Sequence, residues 1–345
     1  MQIPDNIKTW TAPAHWRQVQ TIDVHTEGEP LRVYVLPELR GATILARRRN
    51  ALSDWDHLRT ALMWEPRGHA DMYGCIITEA VSSEADFGVL FLHNEGYSSM
   101  CGHGIIGVTK VVLETGMMPM QEPTTKIVIN TPAGQVTAFG HVSDGRVEQV
   151  SFLNVASYAV ALDQTVEVAG LGQVRYDLAF GGAYYAFVKA ADVGLTCAVE
   201  EFQATIEKGM AIKRAIMARR TIEHPFEPDL GFLYGTIFVA PPRDPAHHSR
   251  NVCIFAEGEL DRSPTGTGVS GRAAIASARG ELSPGTTITI ESIIDSRFRV
   301  SVEATTRFGP HAAVVPRVEG RAFITGQHRF LIDPNDPLKH GFILR

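Results

Sequence analysis

The sequence predicts a mixed α/β protein of the α+β type, built as two similar halves that face one another across a cleft. Three observations predict it. A glycine motif occurs twice, as Cys101-Gly-His-Gly-Ile-Ile-Gly107 and as Thr265-Gly-Thr-Gly-Val-Ser-Gly271, and each copy runs into a small-residue helical stretch that stops at a glycine, Gly116 or Gly280. An apolar segment ending in Glu-Gly precedes each copy (Phe91 to Gly96; Cys253 to Gly258), and an alternating segment follows each (Ile127 to Ile129; Ile288 to Ile290). The other strand-like runs are short and punctuated by glycine and proline, which reads as meanders and not as βαβ units. Strand, loop, glycine turn, helix and strand therefore recur, and the duplication sets Cys101 opposite Thr265.

Taken in order, Ile22 to Val35 reads as strand, turn, strand, with the turn at Thr26-Glu27-Gly28-Glu29-Pro30. A helix is expected from Ser53 as N-cap, through Leu58, Ala61, Leu62 and Trp64, to a stop at Pro66. Tyr73 to Glu79, Phe87 to His93 and Val147 to Val155 alternate or run apolar, so the first half is rich in strands. The second half opens near Ala156 with a strand through Tyr184 to Lys189. An amphipathic helix follows from Glu200 to Arg220, with Phe202, Ile206, Met210 and Met217 on its apolar side and a basic end that suits the macrodipole.

Composition narrows the function. A chain of 345 residues with 44% hydrophobic content is long enough for two cores, and its net charge of −6 comes from interspersed residues, with only Arg47-Arg48-Arg49 and Arg219-Arg220 as short basic clusters. No nucleic-acid footprint follows, and a small-molecule partner is expected. The first twenty residues hold Asp5, His15, Trp16 and Arg17 with no apolar core, and no window reaches the length of a membrane span, so the expected location is cytoplasmic. Cys75, Cys101, Cys197 and Cys253 form no C-x-x-C pair and are expected as free thiols. A homodimer is left open.

The chemistry starts at the helix after each motif. Its first N–H groups lack partners and its N-terminal end carries about half a positive charge, which favours anions and thiolates. A cysteine there is expected to have its pKa lowered from ~8.5 towards neutrality, making Cys101 a usable base. The glycines at 102, 104, 266 and 268 let backbone donors approach a ligand, and a carboxylate held between the two helix ends would present its Cα to both Cys101 and Thr265. Asp261 reads as a counter-ion for a substrate ammonium or as a solvated loop carboxylate. Other readings stand beside these. Both copies fit G-x-G-x-x-G with an acidic residue downstream, Glu122 or Glu291, as in dinucleotide folds, but polar loops separate the glycines from the preceding strands. The glycines would also allow close helix packing around an inert buried Cys101, while Cys75, Cys197 and Cys253 are read as buried apolar residues. His69 and Asp71 have no ligand partners at metal spacing, and no Gly-Lys-Ser/Thr marks a phosphate loop.

Asp23-Val-His-Thr-Glu-Gly-Glu-Pro-Leu-Arg-Val33, Pro66 to Gly74, Met100-Cys-Gly-His-Gly104, Thr131-Pro-Ala-Gly134, Phe180-Gly-Gly-Ala183 and Asp261-Arg-Ser-Pro-Thr-Gly-Thr-Gly268 together resemble the proline racemase family, which includes 4-hydroxyproline epimerases and trans-3-hydroxy-L-proline dehydratases. The resemblance spans nearly the whole chain. It implies two pseudo-symmetric lobes of the diaminopimelate epimerase-like fold, each a mainly antiparallel β-structure around a central helix, with the active site between them and no metal or organic cofactor. The first lobe is expected over 1–160 and 327–345, the second over 161–326. By the same resemblance Cys101 is the proton acceptor, Gly102 and His103 contact substrate, Asp261 holds the ring ammonium, and Gly266 and Thr267 offer donors to the carboxylate.

One departure bears on the activity. Racemases and epimerases of that family have a cysteine at both motif heads, whereas here the second is Thr265, whose hydroxyl is too weak an acid or base near neutral pH to exchange a Cα proton. The Cys–Thr pair resembles that of the trans-3-hydroxy-L-proline dehydratases, so the expected function is that of a hydro-lyase acting on a hydroxylated proline. A hydroxyproline 2-epimerase or proline racemase with an unusual second base is the alternative, and a non-catalytic binding protein a second. The intact Cys101 argues against the last.

Overall fold

The computed structural model describes residues 9–344. Asp5, weighed above against a signal peptide, and Arg345, assigned above to the first lobe, lie outside them. Two strand ladders each wrap a central helix and meet along one seam. In the first, β18 (Ala322–Ile332), β1 (Arg17–Thr26), β2 (Glu29–Val35), β3 (Tyr73–Thr78), β4 (Phe87–His93), β6 (Thr124–Thr131), β7 (Gly134–Ser143) and β8 (Arg146–Leu153) pair in that order around α3 (Gly102–Glu114). In the second, β9 (Tyr158–Val168), β10 (Gly172–Phe180), β11 (Tyr184–Lys189), β12 (Leu233–Ala240), β13 (Ser249–Phe255), β15 (Thr287–Glu291), β16 (Arg297–Phe308) and β17 (His311–Gly320) do the same around α5 (Gly266–Ala278). β8 pairs antiparallel with β17 and joins the ladders. Short strands β5 (Gly96–Tyr97) and β14 (Glu259–Leu260) lead into the two helices.

The two ladders match pair for pair. β2–β3 and β4–β6 are parallel in the first, β11–β12 and β13–β15 in the second. The expected meander is corrected at all four pairs: helices between the two strands carry the chain back to its starting end, through the middle of the lobe at β4–β6 and β13–β15, so the next strand runs parallel to the last. Because strands surround it, α3 is buried on every side from Gly102 to Leu113, and its residues are mostly apolar. The third glycine of each motif serves this packing. A Cβ on Gly107 would lie 2.8 Å from Leu31 Cδ2 of β2, and one on Gly271 2.8 Å from Phe187 Cζ of the matching β11.

Two helix expectations need correction. Ser53 is not an N-cap; it lies in the last turn of α1 (Ile44–Asp54), and its hydroxyl is used by Asn50 O and Asp54. The cap is Thr43, whose Oγ1 accepts from Ala46 N, and α2 (Asp56–Met63) starts after a break at Trp55. In α4 (Phe202–Met217) the buried side is Thr205, Gly209, Met210, Ile212, Lys213 and Ile216, while Phe202 and Met217 are exposed. Gly209 sets that face, because its bare Cα lies against Ile254 of β13.

Residues 160 and 327, where the chain was expected to change lobes, lie within β9 and β18. We place the changes just before each of these strands. Each then follows the last ladder strand of one lobe and adds to the first strand of the other: β9 pairs with β10, and β18 with β1. Among the described residues no helix is long and apolar enough to cross a membrane.

Candidate active site

The N-termini of α3 and α5 abut. A Cβ on Gly102 would stand 2.5 Å from Gly266 Cα, and one on Gly266 the same distance from Gly102 Cα, so only glycine at both positions lets the two helix ends touch. Cys101 caps α3 in extended conformation, its Sγ accepting from Gly104 N at 3.2 Å. Thr265 precedes α5 at φ 66°, ψ 100°, a conformation strained for a β-branched residue, and its side chain does not cap the helix. Its Oγ1 donates instead to Asp261 Oδ2 at 2.8 Å, while Asp261 Oδ1 accepts from Ser263 N at 2.7 Å and Ser263 Oγ from Thr265 N at 3.1 Å. Loop contacts thus hold Thr265 in its unusual conformation.

All seven residues singled out in the sequence, Cys101, Gly102, His103, Asp261, Thr265, Gly266 and Thr267, line one cavity. It is nearly closed, about 20 Å³, room for about one water. A larger cavity of about 700 Å³ opens between the splayed ends of β1 and β2, but its lining, with Val33, Ile77 and Val112, is largely apolar and includes none of these residues. The thiol, imidazole and carboxylate singled out in the sequence all lie in the smaller one. Met100, Tyr73, Tyr185, Tyr234 and Phe255 complete its wall and were not singled out in the sequence. Tyr185 and Tyr234 sit in strands whose apolar run reads as core; only Met100, heading the Met100 to Gly104 stretch, and Tyr73, next to last in the Pro66 to Gly74 stretch, carried any signal.

Burial dominates the electrostatics. Cys101 was expected to have a lowered pKa, but in this closed cavity burial pushes the thiol well above its ordinary value, against the pull of the Gly104 N–H; the Asp261 carboxylate pushes it further. The Tyr73 hydroxyl acts the other way. His103 Nδ1 lies 3.2 Å from Cys101 Sγ, and burial holds this imidazole down at about 3, so it faces the thiol as a neutral ring. Asp261 is pushed up to about 6 by burial, against hydrogen bonds from Ser263 and Thr265. Behind it, Glu29 is fully buried and raised well above the carboxylate range by burial and by Asp261; its Oε2 accepts from Arg262 N at 2.7 Å. Arg262 also donates to Asp71 O and so ties the second motif's loop to the first lobe.

Other residues fall elsewhere. All four cysteines are free and buried, but Cys253 lies against the Thr265 hydroxyl, closer to the site than its apolar strand suggests. His69 is exposed and bonded to its neighbour's carbonyl, and among the described residues no group of three or more His, Cys, Asp or Glu could hold a metal ion. Glu122 accepts from Gly145 N, and Glu291 is bound by Arg250, His247 and two backbone N–H groups, so both acidic residues of the dinucleotide pattern serve loops.

The model of the family described as proline racemase matches residues 21–343. The chain belongs to the proline racemase family. Within this family of enzymes it is 47% identical to a Colwellia psychrerythraea protein named trans-3-hydroxy-L-proline dehydratase, over 95% of this chain and 93% of that one. It is 42% identical to a Burkholderia multivorans protein named 3-hydroxyproline 2-epimerase, over 95% and 99%. A solved hydroxyproline epimerase from Agrobacterium vitis, with bound trans-4-hydroxy-L-proline, superposes with a TM-score of 0.90 at 34% identity, over 95% of this chain and 96% of that one. The two ladders are those of the diaminopimelate epimerase-like fold.

Proposed function

We propose that this member of the proline racemase family is a trans-3-hydroxy-L-proline dehydratase. The observation that carries the reading is Thr265: a hydroxyl of ordinary acidity, already donating to Asp261, stands where inversion needs a second acid or base. Removal of the Cα proton by one thiol, followed by loss of the 3-hydroxyl, needs no such partner. The names of several relatives at 42–47% identity favour the same reaction.

The substrate carboxylate lies between the two helix ends, taking N–H groups of Gly102, His103, Gly266 and Thr267, where positive dipole ends stabilise charge built up as the Cα proton leaves. The ring ammonium pairs with Asp261. That cation also lowers the cost of ionising Cys101, because the negative charges that raise the thiol now have a counter-charge between them. Cys101 thiolate takes the Cα proton, the freed electron pair forms the Cα=C3 bond, and the C3–O bond breaks. The departing hydroxide takes the proton from the Cys101 thiol and leaves as water, and the enamine tautomerises to Δ1-pyrroline-2-carboxylate.

The name of the Burkholderia multivorans relative favours a second reading, 3-hydroxyproline 2-epimerase. Incubating the purified protein with trans-3-hydroxy-L-proline, trans-4-hydroxy-L-proline and L-proline separates them. The dehydratase reading expects an imine product from the first substrate only; optical change without imine establishes epimerisation, and saturable binding without either a non-catalytic role.

A further inference from the structure

Three tyrosines line the cavity, and two have their hydroxyls engaged. Tyr73 Oη bonds Ser98 Oγ at 2.6 Å, and Tyr185 Oη bonds Thr267 Oγ1 at 2.8 Å. Among the described residues the Tyr234 hydroxyl has no hydrogen bond of normal geometry, although the residue is only 6% exposed; the Tyr73 hydroxyl beside it acts on it but is itself taken by Ser98. A buried phenol left unpaired is costly, and such orphans are rare without a reason. Its ring cannot swing away to find a partner: it packs at 5.4 Å from Phe255, 5.8 Å from Tyr185 and 6.0 Å from His93, centroid to centroid. The residue lines the cavity beside Tyr73, whose ring packs edge-on at 4.7 Å from His103 and whose hydroxyl acts on the Cys101 thiol; Glu259 and Cys253 also lie near enough to act on the phenol. It belongs to the Cys101 side of the site.

Substrate stereochemistry gives that side a meaning. In trans-3-hydroxy-L-proline the hydroxyl is opposite the carboxylate, hence on the same ring face as the Cα hydrogen that Cys101 removes. Resting on the dehydratase reading, we propose that Tyr234 is the residue that recognises the substrate's 3-hydroxyl, donating a hydrogen bond to it in the bound state and to the departing oxygen as the C3–O bond breaks. Tyr234 keeps its own proton throughout; the one that completes the water comes from Cys101. A ligand hydroxyl completes an unpaired donor, so a proline with no 3-hydroxyl leaves that donor empty. Sites built to bond a hydroxyl discriminate strongly against analogues that lack it.

The test separates this role from the reaction itself. In the Cys101→Ser background, expected not to turn over, calorimetric affinities for trans-3-hydroxy-L-proline and L-proline are compared with and without Tyr234→Phe. The phenol should favour the hydroxylated ligand about tenfold or more, and Tyr234→Phe should abolish that preference while leaving L-proline affinity within about twofold. With Cys101 intact, Tyr234→Phe should lower kcat for dehydration by roughly 100-fold or more, as expected for losing one donor to a developing charge. Tyr185→Phe, whose hydroxyl already serves Thr267, should leave the ratio of the two affinities unchanged. Equal loss for both ligands, no prior preference, no binding of either, or a preference that survives Tyr234→Phe overturns the assignment. Because the affinity ratio does not depend on which reaction follows, a failure of the dehydratase reading shows separately, as absent imine in the unaltered protein.

Discussion

Thr265 and Cys101 occupy matching positions, yet one is bonded to a carboxylate in a strained backbone and the other caps its helix through sulfur. If the thiol alone moves the proton, Thr265→Ala should keep substantial dehydratase activity, losing about one or two orders of magnitude through poorer positioning, whereas Cys101→Ser should have none. Stopped-assay rates on trans-3-hydroxy-L-proline check both, and cis-3-hydroxy-L-proline, with its hydroxyl on the other face, should be a poor substrate. Equal loss in Thr265→Ala and Cys101→Ser, with binding kept, would sink the one-thiol mechanism. Asp261 supplies a pH prediction. If Asp261 pairs with the ring ammonium as proposed, binding needs its ionised form, and L-proline affinity of Cys101→Ser should rise about tenfold per unit up to pH about 6 and then level. Thr265→Ala, which removes a donor that favours the carboxylate, should move the inflection upward. The stability effect has the opposite sign: a folded pKa above the unfolded one, ~3.9, means that Asp261 lowers stability as pH rises from about 4 to about 6, visible as a falling Tm in the ligand-free protein.

At the scale of elements, the two helices meet only because their first residues have no side chains. Gly102→Ala puts a methyl against backbone at 2.5 Å, so the helix ends must separate; a shift of about 1 Å should lower kcat by roughly 100-fold, with overpacking costing about 1–3 kcal/mol and lowering Tm by a few degrees. An unchanged kcat would mean the contact does not set the geometry of the site. These helices, the strands β3, β4 and β11, and the opposition of Cys101 to Thr265 were legible because each follows from local pattern: apolar runs, glycine stops and a repeated motif. What was hidden depends on tertiary contact. The Thr43 cap precedes a helix whose Arg47-Arg48-Arg49 core hides its periodicity. The buried side of α4 centres on Gly209, which an apolar count ignores. Tyr185 and Tyr234 look like core in their strands, and only the neighbouring strands turn their hydroxyls into cavity wall. The thiol's raised pKa was likewise unreadable, because a dipole can be inferred from sequence but burial in a closed cavity cannot.

Across the whole molecule, β18 reaches back to complete the first ladder, and Arg32 fastens it there. Its guanidinium is bidentate to Asp23 of β1, donates to the carbonyls of Leu62 and Arg67, and stacks 4.2 Å from the Phe330 ring of β18. Arg32→Ala takes the guanidinium from a nearly buried carboxylate, which keeps Thr21 Oγ1 at 3.2 Å, and from two carbonyls, so unfolding in urea should report a loss of about 3 kcal/mol; a loss under about 1 kcal/mol would mean that water replaces those bonds. The crossing of β9 and β18 has an ancestral consequence. Each half closes its ladder with a strand that follows the other half, so a lone ancestral half would have had a bare edge on its first strand and a loose arm at its end. Two such chains trading arms would satisfy both, and the cleft with its paired helix ends would form between them. A gene fusion would then only have had to link partners that were already clasped, and with both motif heads on one chain the two could diverge, as Cys101 and Thr265 differ here.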